Sequence, residues 1–207
     1  RIIEPRLCGS EISSAINIAK EILDYTKLHK EDSISFTKHY LVALNNLAIF
    51  YNELSKNDDA IKHAEKALEI IEDNYRRDKE EWTKDYVQSL ITLGALYQTN
   101  EQIDDAFIKV KIALDITENL FDNNEAIWGK EYLMVLRNLA SLYLYDDIKE
   151  VKSAINVYKK SLVKIEALFE KDNDTWIKDY ITNLKGLAHS YIEDDEDDDA
   201  IEQLKIA

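Results

Sequence analysis

The sequence predicts an all-α chain, an α-solenoid of antiparallel helix pairs that repeat about every 46 residues, and three observations carry this expectation. The first is self-similarity: Tyr40, Tyr86, Tyr132 and Tyr180 head four alike segments spaced 46, 46 and 48 residues apart. Ala15, Ala60, Ala106, Ala154 and Ala200 form a second series in the same period, and Trp82, Trp128 and Trp176 each stand four residues before a leading tyrosine. Phe36 fills that place in the first unit. Second, the apolar residues within a unit step by helical intervals, as in Phe36, Tyr40, Leu44, Leu47 and Tyr51, which places them on one stripe. Third, 207 residues hold only 4 Gly and 1 Pro, too little turn chemistry for a many-stranded β fold.

Taken in order, a segment over 1–10 precedes a helix from Ser10 to about Leu28, which has the character of the second helix of a partial repeat covering 11–37. Repeats then cover 38–83, 84–129 and 130–177, with a truncated fourth at 178–207, as one continuous solenoid domain. The two extra residues of the third unit fall in the loop 146–150. Each first helix begins after a capping residue (Asp32, Asp78, Asn124 or Asp172) whose side-chain oxygen suits the orphan N–H groups of a first turn. Asp78 has Glu81 three residues on, a capping-box spacing, so this helix runs from residue 79 to about Gln98. The second helix follows an acidic loop such as Asn57-Asp58-Asp59, and Ala60, Ala64, Ala67, Leu68 and Ile71 form its buried stripe. Tyr75, Phe121 and Phe169 extend that stripe. Small alanines allow two helix backbones to approach closely. One such hairpin cannot bury its apolar face alone, whereas stacked neighbours can.

Composition narrows the function classes. A net charge of −15 repels nucleic acid phosphates and anionic membrane surfaces, so neither is an expected partner. A single cysteine, Cys8, excludes an internal disulfide and a cysteine-rich zinc site, and nothing beside it suggests a nucleophile's partner. His29, His39, His63 and His189 show no metal-binding spacing, and the run 194–199 lacks the glycine and spacing of an EF-hand loop. No cofactor, metal or catalytic site is therefore expected. With no signal-peptide pattern and no long apolar run, a reducing cytoplasm is the expected setting. The chain lacks an initiating Met, opens with what looks like the second helix of a pair and stops at Ala207 inside another helix, which reads as a piece of a longer array.

The residues Leu44-x-x-Leu47-Ala48-x-x-Tyr51, then Ala60-x-x-x-Ala64-x-x-Ala67, resemble a tetratricopeptide repeat. The form Leu-Asn-Asn-Leu-Ala-x-x-Tyr is similar to the longer repeats of kinesin light chains and of bacterial arrays built like them. The likeness covers about 11–207. It departs in two respects: each unit exceeds the usual 34 residues by about a dozen, and Glu72, Glu118 and Glu166 stand where a proline commonly closes the second helix. The resemblance implies a right-handed superhelix whose concave side, lined by the first helices, binds peptides or partner proteins without catalysis.

Opposite the core stripe each first helix carries a second line of residues, on the side the resemblance makes concave. Its candidate binding residues are Lys38, Asn45 and Asn46; Lys84, Gln88 and Ile91; Lys130, Met134, Arg137 and Asn138; and Lys178, Lys185 and His189. A lysine heads the line in all four units although the chain is acidic, which suits a partner segment bearing Asp, Glu or a free carboxylate. Asn46 and Asn138 suit a peptide backbone through their side-chain amides. A lysine beside Asp85, Glu131 or Asp179 also serves simply to keep a repeat solvated, so the row has two readings. The tryptophans and the tyrosines Tyr51, Tyr97, Tyr143 and Tyr191 are expected in the core, with the tyrosine hydroxyls reaching loop backbone. Two further functions stay open: a regulatory array controlling a fused effector, and self-association through open solenoid ends.

Overall fold

The computed structural model describes residues 9–28 and 34–207, and among them every element is α-helical. The chain divides into two compact units, Arg1–Gln102 and Ile103–Ala207. The first holds α1 (Gly9–Leu28), α2 (Ile34–Glu53), α3 (Asn57–Arg77) and α4 (Lys79–Thr99). The second holds α5 (Ile103–Asn123), α6 (Glu125–Tyr143), α7 (Val151–Phe169), α8 (Asn173–Glu193) and α9 (Asp197–Ile206). The expected cap Asp32, the residue Cys8 and the segment 1–8 lie outside the described residues.

Within each unit consecutive helices pack on one another, α1 on α2 through to α4, and α5 on α6 through to α9. The pairing is antiparallel: Tyr75 meets Tyr86 close to the α3–α4 turn, and Glu65 meets Tyr97 at the far end of the same two helices. Both stripes read from the sequence are buried. Ala60, Ala64, Ala67, Leu68 and Ile71 line α3, and Trp82, Tyr86, Leu90, Leu93 and Tyr97 line α4. In the second unit Trp176 is buried and Trp128 packs, half-buried, against the same core cluster. Burial of this kind is the main stabilising term, at about 25 cal/mol per Å² of apolar surface.

The caps are where the spacing puts them. Asp78, Asn124 and Asp172 accept from the backbone N–H of Glu81, Ile127 and Thr175 at 3.1, 3.3 and 3.2 Å. Bonds from Thr175 hold the Asp172 carboxyl below its usual range. Asp58, Asp59, Asp104 and Asp105 belong not to a loop but to the first turns of α3 and α5, where negative charge favours the helix dipole. Continuing the second helix past the usual proline site lets Tyr75 stack on Tyr86, Phe121 tilt against Tyr132 and Phe169 stack on Tyr180, with centroids 4.5, 4.8 and 5.1 Å apart. The glutamates that replace proline also receive hydroxyl bonds: Tyr86 donates to Glu72 and Tyr132 to Glu118, each at 3.4 Å.

The tyrosines at the ends of the first helices correct one expectation. The Tyr97 hydroxyl donates to the Glu65 carboxylate at 2.7 Å rather than to loop backbone, because antiparallel packing sets α3 alongside it. It is the tyrosine carbonyls that close the turns, accepting from Lys56, Gln102, Glu150 and Glu196 N–H at 2.8, 2.9, 2.9 and 2.8 Å. Such closure needs a left-handed residue just before the donor. Ser55, Glu101, Lys149 and Asp195 take that conformation, with φ of 56, 60, 48 and 58°, although none is glycine. Glycine is used elsewhere. A Cβ on Gly129 would stand 2.7 Å from the Trp176 ring, and one on Gly186 would stand 2.5 Å from the Tyr158 ring, so both make room for an aromatic side chain.

Candidate interaction surface on the first helices

The line of candidate residues follows the helices opposite their buried stripes, and each unit presents its own stretch of it. In the first unit α2 exposes Val42, Asn46 and Ile49, while Lys38 and Asn45 are half-buried. Asn45 and Asn52 each bury a side-chain oxygen that has no hydrogen-bond partner. On α4, Lys84 and Gln88 are exposed. Ile91 is the exception to the expected row, being only 4% exposed. The middle of α4 is packed on most of its circumference, with Val87, Ser89, Leu90, Leu93 and Gly94 also buried, so an isoleucine there turns inward.

Lys38 is not a free cation. Its ammonium bonds the Glu81 carboxylate, lies 3.7 Å from Asp85 and sits 5.3 Å from the centre of the Trp82 ring. The Glu81 bond is the chief reason its pKa lies above the ordinary lysine value. Glu81 therefore serves Lys38 in addition to giving its backbone N–H to the Asp78 cap.

In the second unit α6 and α8 touch, and their exposed sides carry the remaining candidates. Lys130 on α6 and Lys178, Lys185 and His189 on α8 are exposed, whereas Met134, Arg137 and Asn138 are half-buried. Arg137 Nη1 donates to Asp179 Oδ1 at 2.8 Å, bridging the two helices, with side-chain exposures of 23 and 20%. His189 Nδ1 lies 3.9 Å from Glu193, an ion pair when the imidazole is protonated. Thr182 and Ile192 complete the exposed side of α8. The cations are legible in the helical spacing, whereas the acids that hold them are not. The available signal was an offset close to one period, 43 residues from Lys38 to Glu81 and 42 from Arg137 to Asp179.

Elsewhere the charges staple helices to each other. Lys160 and Lys164 of α7 reach Glu118 and Asp122 of α5, and Lys171 reaches Glu125. Among the described residues no group of three His, Cys, Asp or Glu is placed to hold a metal, and no helix is long and apolar enough to cross a membrane. What the line of first helices can do chemically is recognise: it offers ammonium and guanidinium donors, side-chain amides and exposed aliphatic groups on rigid helices.

Comparison with known proteins agrees with this geometry. Residues 41–75, which span most of α2 and α3, match the family model of the tetratricopeptide repeat. This is a tetratricopeptide-type fold. A kinesin light chain-type protein of Podosopora anserina with nearly identical TPR-like repeats superposes with a TM-score of 0.70 at 15% identity, over 95% of this chain and 87% of that one. A variant of the same protein gives 0.72 at 15% identity, over 95 and 85%. BtubC (BKLC) from P. vanneervenii gives 0.72 at 17% identity, over 94 and 71%. No curated protein sequence matches the chain. Stacked helix pairs of this fold present a long preformed surface.

Proposed function

We propose that the chain is a non-catalytic scaffold that holds protein or peptide segments on the first helices of each unit. In the unit Ile103–Ala207 the segment it favours carries carboxylates. The observation behind this is the set of exposed cations Lys130, Lys178 and Lys185 on the touching helices α6 and α8, in a chain whose net charge is −15. Helices fixed by a packed core present these groups without ordering themselves on binding, so a disordered partner alone loses conformational freedom. Individual exposed ion pairs contribute only about 0.2–1 kcal/mol. Several acting together give useful affinity, and that affinity weakens with salt. In the first unit the corresponding stretch of α2 is more aliphatic, with Val42 and Ile49 exposed, which suits apolar side chains of the same kind of segment.

Selection of random peptides displayed on phage tests the reading on the whole chain. Acid-rich sequences should be enriched, and the variant Lys130→Glu, Lys178→Glu, Lys185→Glu should lose them while keeping its helical circular dichroism. Enrichment of basic or charge-neutral peptides, or retention by the triple variant, removes the acidic preference. A second reading rests on one further observation: α9 exposes Ile201, Leu204 and Ile206, a set of apolar side chains available for self-association. Light scattering across a concentration series distinguishes a monomer from such an assembly.

A further inference from the structure

Both units contain the same arrangement: a cation on the candidate line of one first helix is held by an acid from the beginning of the next first helix. Glu81 and Asp85 at the start of α4 hold Lys38 of α2, and Asp179 in α8 holds Arg137 of α6. The second case is the sharper one. Arg137 and Asp179 are both half-buried, their bond is short at 2.8 Å, and the exposed Lys178 and Lys185 flank Asp179 on the same helix. A guanidinium in such a place binds any carboxylate of suitable geometry, whether it belongs to the chain or to a partner. Asp179 also sets a negative charge within the row of positive ones, where it opposes an acidic ligand.

We propose that Asp179 is a built-in competitor. In the free protein it occupies Arg137 in the manner of a partner's carboxylate, and so it lowers the affinity of the α6–α8 surface for acidic segments. This rests on the acidic preference proposed above and adds its regulation. The internal pair keeps Arg137 ordered and hydrogen-bonded until a partner with several carboxylates arrives. A segment with a single acid gains too little to displace Asp179, so the device selects for multivalent acidic partners.

The test uses the full chain and a fluorescein-labelled octaglutamate peptide, followed by fluorescence anisotropy at low and at near-physiological salt. Asp179→Asn is nearly isosteric, removes the charge and leaves an oxygen able to accept from Arg137. Asp174→Asn, at an exposed site in the first turn of α8, makes the same change in net charge outside the row and serves as the control. Asp179→Asn should bind the probe about two- to fivefold more tightly than the control, the range expected for one partly screened charge, and the gain should shrink with salt. Asp179→Ser, which cannot reproduce the pair, should show the same direction. The inference is overturned if both Asp179 variants bind no tighter than Asp174→Asn while Lys178→Glu with Lys185→Glu still abolishes binding; in that case the acidic preference survives. If neither the native chain nor any Asp179 variant binds the probe, the acidic preference fails and takes this inference with it.

Discussion

Tyr158 and Gly186 fit each other so closely that either one alone is a poor substitute site. A Cβ at residue 186 would lie 2.5 Å from ring carbons of Tyr158 and 2.7 Å from its hydroxyl oxygen. Ordinary contact needs about 1 Å more, and Tyr158 is confined by a core that includes Ile155, Leu162, Leu184 and Leu187. One period earlier the corresponding pair is Val110 with Asn138. Gly186→Asn alone therefore forces Tyr158 off its rotamer and should destabilise by about 3 kcal/mol, the upper part of the range for overpacking. Tyr158→Val alone leaves a cavity and should cost about 2–4 kcal/mol. Installed together, the two changes recreate the α5–α6 pair. The double variant should then lose about 2 kcal/mol less than the sum of the single losses, a coupling typical of residues in contact. Urea unfolding of the four proteins, followed by circular dichroism at constant slope, measures this cycle. Additivity within about 0.5 kcal/mol would falsify the size-complementarity argument.

Three other expectations follow from the same packing. Asn183 and Ser161 are fully buried and hydrogen-bonded to each other, yet the Asn183 side-chain oxygen has no partner. Replacing the pair by Asn183→Val with Ser161→Ala, the residues found one period earlier, should stabilise by about 1 kcal/mol, since an orphaned buried acceptor costs about 1–3 kcal/mol; a lower urea midpoint speaks against it. Putting glycine at Ser55, Glu101, Lys149 and Asp195 relieves four left-handed residues. At about 0.5–1 kcal/mol each, this should raise Tm by roughly 5–10 °C, and a fall in Tm contradicts the turn assignment. Burial lifts the hydroxyl pKa of Tyr86, Tyr132, Tyr158 and Tyr180 above the ordinary tyrosine value. The folded state then holds protons that the unfolded state releases, so this contribution is complete below about pH 10 and is lost as pH rises beyond it. The urea midpoint should drop across that window together with tyrosinate absorbance, whereas a midpoint that rises or stays level rules the linkage out.

Much of the fold was legible because burial writes itself into spacing. The stripe from Trp82 to Tyr97 and the alanines of α3 were readable from helical periodicity alone, as were the caps Asp78, Asn124 and Asp172. The four left-handed turn residues were not, because Ser55, Glu101, Lys149 and Asp195 share no side-chain chemistry. The backbone takes that conformation to satisfy the tyrosine carbonyls, and no sequence signal marks it. The candidate surface was legible in outline only. A helical wheel locates Lys38 and Arg137 on the open side, but the acids that hold them come from the next first helix, a long-range pairing that periodicity within one helix does not reveal. Ile91 shows the opposite failure: its wheel position is open, yet the centre of α4 is buried on most of its circumference.

The most direct test of the account is an amide NMR titration of the ¹⁵N-labelled chain with the octaglutamate peptide. Salt-sensitive shifts should gather on α6 and α8 around Lys130, Arg137, Lys178, Lys185 and His189, with α5 and α7 largely still. Shifts centred on the lysines of α7, or none at concentrations where the peptide binds, would contradict it.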